Sequence, residues 1–316
     1  METIKTNTQE GEQWINKIHC GDSLSILRQI PDELIDCVIT SPPYWGLRDY
    51  GVEGQIGLES SLQEYINKII QITEELKRVL KKTGTMWWNH GDSYGTGSGS
   101  GSRSGSKQTE GSIYWEDNGK AKIPGYEKSL IMQNERIVMK MIDEQKWMLR
   151  NRIIWYKPNS MPSSACDRFS NDYEPIYFLT KSKHYYFEQQ FEKSLWSGKD
   201  KRAVNGPSEG GKAKSGNYAI NKGGAFRKDG NRNMRSVWQI NTKGFSEAHF
   251  ATFPEDLVGR CIRSGCPEGG IVLDCFMGAG TTALVALKLK RNYLGIELNG
   301  DYIKIAEKRL NQRVMI

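Results

Sequence analysis

Four consecutive residues, Ser41-Pro42-Pro43-Tyr44, have side chains that could hold a planar amine for reaction. They follow the apolar run 35–40, which predicts a buried strand that ends at the tetrapeptide. Two prolines fix the backbone and remove two N–H donors, so the carbonyls and the Ser41 hydroxyl are left as acceptors. Those acceptors suit the two N–H bonds of an exocyclic amine, and the Tyr44 ring suits stacking on a base. A Pro-Pro strand terminator packed by an aromatic ring is the structural alternative.

Such a site would make an aromatic amine nucleophilic without a strong base. The amine lone pair is delocalised into the ring, and acceptors that draw the N–H bonds toward tetrahedral geometry free it for in-line attack. The proton becomes acidic once the nitrogen is alkylated. The tetrapeptide therefore predicts alkylation of an exocyclic amino group.

A second stretch, Asp274-Cys-Phe-Met-Gly-Ala-Gly-Thr-Thr282, lies between an apolar run and a helical stretch. Gly278 and Gly280 let the backbone turn tightly and approach a ligand, and the helix N-terminus offers unpaired N–H groups. Glu297 ends the next apolar run, where its carboxylate could accept both hydroxyls of a ribose. No Gly-Lys-Ser/Thr sequence follows the turn, which argues against a phosphate-binding P-loop. A βα turn without a ligand is the structural alternative.

These stretches need a sheet that brings their strand ends together. The predicted order of strand, helix and strand before Ser41 is typical of a parallel βαβ unit, so the predicted fold class is α/β. Ligands of open α/β sheets gather at the carboxyl ends of the strands, so Asp22 and the tetrapeptide should face one crevice. The periodicity predicts strands over 14–20, 35–40, 85–88, 149–156 and 174–179, and helices from near Ser23, over 61–80, over 136–147 and within 249–263.

The positive charge is concentrated in one segment. Residues 181–243 contain fourteen Lys and Arg against five Asp and Glu, whereas the remaining chain contains 30 basic and 32 acidic residues. Aromatic residues, including Tyr185, Phe187 and Trp238, alternate with these charges, which suits contact with phosphates and bases, although a solvated basic loop is the alternative. The basic residues predicted to contact DNA are Lys199, Lys201, Arg202, Lys212, Lys214, Lys222, Arg227 and Lys228.

Length and composition set further limits. A chain of 316 residues can form one large α/β domain or one domain with an insertion. No apolar run reaches the length of a membrane span and residues 1–13 are polar, so we expect a cytoplasmic protein. The six cysteines form no CxxC pair and no zinc spacing, so we expect reduced thiols and no metal site.

Here the motifs point to a known family. Thr40-Ser-Pro-Pro-Tyr-Trp45, followed by Gly46-Leu-Arg-Asp-Tyr-Gly51, resembles the catalytic motif of amino-group DNA methyltransferases. Residues 274–282 resemble the S-adenosylmethionine loop of the same enzymes. The catalytic motif precedes the cofactor loop and the basic segment lies between them, which is the permuted order of the beta class. The resemblance extends from Trp14 to Leu310 and implies a Rossmann-like, doubly wound, mostly parallel sheet with a basic target-recognition insert.

The resemblance also implies a division of the chain. A catalytic half would occupy 14–180, with a mobile Gly/Ser loop at 95–112. A target-recognition region would occupy 181–245, and a cofactor-binding half over 246–316 would complete the catalytic domain. Double-stranded DNA would be the substrate, and a cognate restriction endonuclease and a second copy in a homodimer are possible partners.

Individual roles follow from the same resemblance. Ser41, Pro42, Pro43 and Tyr44 would bind and activate the target amine. Glu297 would take the ribose hydroxyls, Asp22 would lie at the adenine end, and residues 249–254 would close over the methionine carboxylate. The residues implied to bind S-adenosylmethionine are Asp22, Phe250, Phe253, Pro254, Asp274, Phe276, Gly278, Gly280, Thr281, Thr282 and Glu297.

Cytosine N4 and adenine N6 are both exocyclic amines beside a ring nitrogen, and one set of acceptors serves both. In the family a serine at the first motif position is more typical of cytosine-N4 enzymes, whereas aspartate or asparagine is more usual for adenine. Ser41 therefore favours cytosine N4, with adenine N6 as the alternative. Cytosine C5 methylation needs a thiolate nucleophile after a proline, and the chain has no Pro-Cys dipeptide.

Three other functions are weighed against this one. Methylation of a glutamine amide or of RNA fits the same acceptors, although the basic aromatic segment argues against a protein substrate. A NAD-dependent oxidoreductase would share the glycine turn and the ribose carboxylate but has no use for the Ser41–Tyr44 crevice. A DNA-binding module that has lost catalysis is disfavoured because the tetrapeptide is intact.

Overall fold

A computed structural model of the chain describes residues 11–95, 114–115, 121–122, 126, 128–193, 231–242 and 253–314. Its centre is an eight-stranded sheet, and two shorter pairs of strands lie outside it. The strands are β1 Lys17–Cys20, β2 Ile35–Thr40, β3 Leu80–Asn89, β4 Tyr114–Trp115, β5 Ala121–Lys122, β6 Met148–Tyr156, β7 Tyr173–Thr180, β8 Phe191–Lys193, β9 Asn231–Asn233, β10 Val237–Gln239, β11 Ile271–Asp274 and β12 Asn292–Glu297. The helices are α1 Ser23–Leu27, α2 Leu62–Val79, α3 Gln133–Asp143, α4 Glu255–Gly265, α5 Thr281–Lys288 and α6 Gly300–Val314.

The order of strands in the large sheet is β1-β12-β11-β2-β3-β7-β6-β10. β7 pairs antiparallel with both of its neighbours and all other neighbouring strands pair parallel, so β7 alone in this sheet runs against the rest. The predicted mostly parallel α/β sheet is therefore confirmed. β11 and β2 are neighbours in the sheet. The chain continues from β11 to β12 on one side and from β2 to β3 on the other side, so the two connections leave in opposite directions. Such a reversal opens a crevice at the carboxyl ends of the two strands.

Helices cover both faces of the sheet, because strand side chains point alternately to opposite faces. On β3, Trp88 packs into a core with α1, α2 and α3, whereas its neighbour Trp87 packs into a second core with α4, α5 and α6. Both indole side chains are buried. The two cores hold the strand ends of β2 and β11 rigidly between helix layers.

Several elements form where the sequence predicts them. β2 occupies Ile35–Thr40 as expected, and α2 matches the helical periodicity of 61–80 to within a residue at each end. Ser61 caps α2, since its side chain accepts a hydrogen bond from the Glu64 N–H at 3.2 Å. α1 begins at Ser23 because the Asp22 carboxylate accepts from the Ser25 N–H at 2.9 Å.

Several element boundaries differ from the prediction: β3 starts at Leu80 and not at residue 85, and α3 ends at Asp143 and not at residue 147. Two further differences have a visible cause. β1 starts at Lys17 and not at residue 14, because Trp14 lies in a turn and is buried there as part of the core. α3 starts at Gln133 and not at residue 136. The Asp92 carboxylate, which is 41 positions away, accepts hydrogen bonds from the Met132 and Gln133 N–H groups at 2.9 and 3.1 Å. A cap supplied from so far along the chain leaves no local signal.

The ends of the basic segment belong to the sheet and its core, which corrects the expectation of nucleic-acid contact for Tyr185, Phe187 and Trp238. β10 extends the large sheet beside β6, and Trp238 within it is buried. Phe187 stacks on Phe178 of β7 at 5.6 Å between ring centres, and Tyr185 meets the same ring edge-on. These three aromatic residues therefore pack against the protein. The pair β8 and β9 is antiparallel and forms a small separate ribbon.

The described helices include none that is both long and apolar enough to cross a lipid bilayer. Within the same described ranges, no group of three or more His, Cys, Asp or Glu side chains is arranged to hold a metal ion. The six cysteines are unpaired, and Cys37, Cys261, Cys266 and Cys275 are buried. Most of the predicted loop 95–112, of which only Gly95 is described, and residues 194–230 and 243–252 lie outside the described residues.

Candidate active site

A pocket of about 440 Å³ lies at the carboxyl ends of β2 and β11, where the topology reverses. It joins the tetrapeptide after β2 to the glycine turn after β11, as the sequence predicted for neighbouring parallel strands. Most predicted site residues line it: Asp22, Ser41, Pro42, Pro43, Tyr44, Phe253, Asp274, Phe276, Gly278, Thr281, Thr282 and Glu297.

Three of the residues predicted to bind the cofactor are not placed in that lining. Pro254 precedes α4 as its N-cap residue, and Gly280 precedes α5 in the same position. Phe250 lies outside the described residues, as do the eight basic residues predicted to contact DNA. Their predicted roles stay predictions.

The two glycines of the turn have different surroundings. Gly278 has φ +52° and Gly280 has φ +78°. Residues other than glycine rarely adopt this left-handed region of backbone conformation. A Cβ atom added to Gly280 would lie 2.7 Å from the Ala306 Cβ on α6, so Gly280 permits close packing of two elements. A Cβ atom added to Gly278 would meet nothing within 4 Å. Only Gly278 borders the open pocket.

Glu297 connects the end of β12 to the glycine turn. Its Oε2 accepts from the Gly278 N–H at 2.7 Å and its Oε1 accepts from the Asn299 N–H at 2.8 Å. Burial raises the pKa of this carboxyl, and the two N–H donors act against that rise. A carboxylate offers about four lone-pair positions, so about two remain for a ligand in the pocket. Two hydroxyls of a ribose would match them.

Asp274 is buried at the start of the glycine turn and is held by three donors. Its Oδ1 accepts from the Thr40 hydroxyl at 2.8 Å and from the Phe276 N–H at 3.1 Å, and its Oδ2 accepts from the Thr282 hydroxyl at 2.7 Å. Burial raises the pKa of Asp274 to about 6 despite these bonds. Asp274 therefore acts as a link between strand ends, and its oxygens are largely occupied by the protein.

The acceptors of the tetrapeptide are fewer than the sequence suggested. The Pro43 carbonyl accepts from the Tyr65 hydroxyl at 2.8 Å, and the Tyr44 carbonyl accepts from the Leu47 N–H at 3.3 Å. The Pro42 carbonyl has no hydrogen-bond donor among the described residues. The Ser41 hydroxyl and the Pro42 carbonyl are therefore among the acceptors left for a ligand.

A buried histidine supports this arrangement from behind. His90 lies 2.7 Å from the Gly91 carbonyl oxygen through Nδ1 and 2.7 Å from the Tyr65 hydroxyl through Nε2. Burial lowers the pKa of His90 to about 3, so the ring is neutral near pH 7 and carries one N–H. Because a carbonyl oxygen only accepts, the proton belongs on Nδ1, and Nε2 and the Pro43 carbonyl share the single proton of the Tyr65 hydroxyl.

Tyr44 is held on one face and at its hydroxyl. Its ring centre lies 4.7 Å from that of His90, and a Cβ added to Gly91 would come within 2.7 Å of the Tyr44 Cε2 atom. The Tyr44 hydroxyl donates to Glu174 Oε2 at 3.2 Å. Glu174 forms an ion pair with Lys157, and the Lys157 ammonium lies 4.2 Å from the centre of the Trp155 ring.

Sequence reasoning assigned no role to several residues that line the pocket. Glu174 and Lys157 lie near the ends of β7 and β6, where no motif marks them. Between Leu47 and Ile56 the chain forms a strap along the pocket, and Tyr50 lies in it. The strap follows the tetrapeptide directly, and this adjacency was the available signal. Gly57, which directly follows the strap, donates its N–H to the Glu59 carboxylate at 2.9 Å.

Comparisons with known proteins agree with this geometry. A family model of N6 and N4 methyltransferases, described as a DNA methylase, matches residues 35–308. The Type II methyltransferase M.Cfr9I of Citrobacter freundii is 40% identical over 291 residues, which cover 92% of this chain and 86% of that protein. The Type II methyltransferase M.SmaI of Serratia marcescens is 35% identical over 309 residues, which cover 94% of this chain and 91% of M.SmaI.

Solved structures show the same fold at lower identity. The PvuII DNA methyltransferase, described as cytosine-N4-specific, superposes with a TM-score of 0.62 at 19% identity, and the match covers 93% of this chain and 85% of that one. TTHA0409 of Thermus thermophilus, a DNA modification methylase solved with S-adenosyl-L-methionine, gives a TM-score of 0.55 at 21% identity and covers 95% and 94% of the two chains.

Proposed function

Because the chain belongs to the DNA methylase family of N6 and N4 methyltransferases, we propose that it methylates N4 of a flipped cytosine in duplex DNA. Membership makes it a site-specific DNA amino-methyltransferase that uses S-adenosylmethionine. The target base and the residues that act on it are what we propose. One observation carries this proposal: Ser41 after β2 and Glu297 at the end of β12 border the same pocket.

The cofactor end of the pocket has the donors and acceptors that this methyl donor requires. Glu297 retains about two lone-pair positions for the ribose hydroxyls. Gly278 leaves open space beside the turn, and Phe276 and Phe253 supply apolar surface. Asp22, which caps α1, would lie at the adenine end. When bound, S-adenosylmethionine supplies an electrophilic methyl group.

At the other end, Ser41 and Pro42 would hold the target amine. The Ser41 hydroxyl oxygen would accept one N–H bond and the Pro42 carbonyl oxygen the other, since the Pro43 carbonyl is already bonded to Tyr65. This arrangement draws the nitrogen toward tetrahedral geometry and turns its lone pair toward the cofactor end. The Tyr44 ring would stack on the base with the face that His90 does not cover.

The preference for cytosine rests on Ser41 and its resemblance to cytosine-N4 enzymes. Adenine N6 is the second candidate, because the two acceptors fit either amine.

The segment 181–245, and above all its basic residues between Lys199 and Lys228, would bind the DNA and recognise its sequence. The domain division at 180 and 245 is proposed on the same basis. We further propose a cognate restriction endonuclease as a functional partner, and a homodimer, which analytical ultracentrifugation of the isolated protein would test.

Transfer of isotope-labelled methyl groups tests the reaction itself. Unmethylated duplex DNA is incubated with the protein and methyl-labelled S-adenosylmethionine, and the label recovered with DNA is counted. We expect label in DNA with the wild-type protein and almost none with Ser41→Ala. Label in RNA or protein substrates but not in DNA would contradict the proposal.

A further inference from the structure

The proposed function requires a defined hydrogen-bond direction at Ser41. A serine hydroxyl both donates and accepts, unlike the side-chain oxygen of a carboxylate or an amide, which only accepts. If the Ser41 proton pointed at the target amine, it would face N–H bonds that are also donors. The hydroxyl proton must therefore point away from the amine for the oxygen to accept from it.

A chain of polar groups leads away from the Ser41 hydroxyl. The Ser41 hydroxyl lies 3.5 Å from the Tyr44 hydroxyl oxygen, a long hydrogen bond, and the Tyr44 hydroxyl donates to Glu174 Oε2 at 3.2 Å. Glu174 Oε1 accepts from the Lys157 ammonium. All four residues line the pocket.

The charges at the far end of this chain determine its direction. An ammonium group only donates and a carboxylate only accepts, so Glu174 receives from both of its neighbours. The Tyr44 hydroxyl donates its single proton to Glu174, so the Tyr44 oxygen can accept a hydrogen bond from the Ser41 hydroxyl. The side chains of Lys157 and Glu174 are only 17% and 21% exposed, so little water competes for these bonds.

We propose that Glu174 is a positioning residue that, through Tyr44, turns the Ser41 proton away from the target amine and so makes Ser41 an acceptor. This inference rests on the proposed function, because it explains how the Ser41 hydroxyl accepts a hydrogen bond from the target amine. The carboxylate thus fixes the direction of the hydrogen bonds, so that the hydroxyl protons of Ser41 and Tyr44 both point toward Glu174.

The variant Glu174→Gln would reverse the direction of these hydrogen bonds and keep the shape of the side chain. Lys157 still only donates, so it would take the amide oxygen and turn the amide NH2 group toward Tyr44. The Tyr44 hydroxyl would then donate to Ser41, and the Ser41 proton would point into the pocket. We expect kcat to fall by about tenfold or more, as for loss of a preorganised hydrogen bond. The affinity for S-adenosylhomocysteine should not change.

A double-mutant cycle with Tyr44→Phe tests whether Glu174 acts through the Tyr44 hydroxyl. Single-turnover rates of methyl transfer are measured for the wild type, both single variants and the double variant. We expect the loss caused by Glu174→Gln to disappear in the Tyr44→Phe background. If Glu174→Gln slows the reaction equally in both backgrounds, Glu174 acts by another route and the proposal is wrong.

Glu135→Gln provides the matched control. Glu135 also forms an ion pair, with Arg152 at 2.7 Å, and its side chain is 22% exposed, but it does not line the pocket. We expect its rate to equal that of the wild type, and a tenfold loss there would make the Glu174 effect nonspecific and overturn the proposal. A wild-type protein that binds S-adenosylhomocysteine but methylates no DNA would instead refute the proposed function.

Discussion

The Thr40 hydroxyl donates a 2.8 Å hydrogen bond to Asp274 Oδ1, although 234 positions separate the two residues. Thr40 is the last residue of β2 and Asp274 the last of β11, so this bond ties the strand before the tetrapeptide to the strand before the glycine turn. Both residues are buried. This side-chain bond adds to the backbone pairing of β11 with β2 and joins the two halves of the pocket.

The Asp274 carboxyl should make stability depend on pH. Its folded pKa is raised to about 6 by burial, above the unfolded value of about 3.9. The folded state therefore binds the proton more tightly, and the free energy of unfolding falls as the pH rises from about 4 to about 6. The loss amounts to at most about 3 kcal/mol and is complete above the folded pKa.

Asp274→Asn isolates this contribution, because the amide keeps the shape and does not titrate. Chemical unfolding of both proteins is measured between pH 4 and pH 8. We expect the wild type to lose stability relative to the variant between pH 4 and pH 6. Parallel stability curves over that interval would show that Asp274 does not titrate as described.

Removing the Ser41 hydroxyl should stop the reaction and leave the cofactor end intact. In Ser41→Ala we expect kcat to fall by about 100-fold or more, because one of two preorganised acceptors is lost. Calorimetry should show unchanged affinity for S-adenosylhomocysteine. Ser129→Ala, at an exposed position outside the pocket, serves as the control. Near-normal activity of Ser41→Ala would remove Ser41 from the mechanism.

The two glycines of the turn should respond differently to the same substitution. Gly280→Ala places a methyl group 2.7 Å from Ala306 and should lower the free energy of unfolding by about 2 kcal/mol or more. Gly278→Ala adds only the backbone strain, about 1–2 kcal/mol, but places the methyl beside the pocket, so affinity for S-adenosylhomocysteine should fall. Thermal unfolding and calorimetry distinguish the two, and equal effects on affinity would contradict the assignment.

Glu297→Gln tests the ribose contact. Hydrogen bonds to a charged acceptor contribute about 1.5–3 kcal/mol, so affinity for S-adenosylhomocysteine should fall by about tenfold to 100-fold. Glu307→Gln, at an exposed position of α6, is the matched control and should bind normally. Unchanged binding by Glu297→Gln would show that the carboxylate serves only the Gly278 and Asn299 N–H groups.

The sequence predicted those features that depend on local pattern. β2 and α2 follow from apolar periodicity, and the meeting of Ser41 with Glu297 follows from the rule that parallel strands present their carboxyl ends at one edge. Glu174 could not be found in this way, because β7 runs against the other strands and brings the start of a strand to that edge.

Other features depended on contacts between distant positions. Trp238 looked like a base contact because its neighbours are basic, but pairing of β10 with β6 buries it. The Pro43 carbonyl looked free because no local donor is present, yet Tyr65 on α2 occupies it. Both outcomes depend on tertiary packing, which overrides local composition.

Identification of the methylated nucleoside tests the central claim most directly. Unmethylated duplex DNA is treated with the protein and S-adenosylmethionine, digested to nucleosides and analysed by mass spectrometry. We expect N4-methyldeoxycytidine, absent from a parallel reaction with Ser41→Ala. N6-methyldeoxyadenosine as the product would contradict the assignment of cytosine to the Ser41 site.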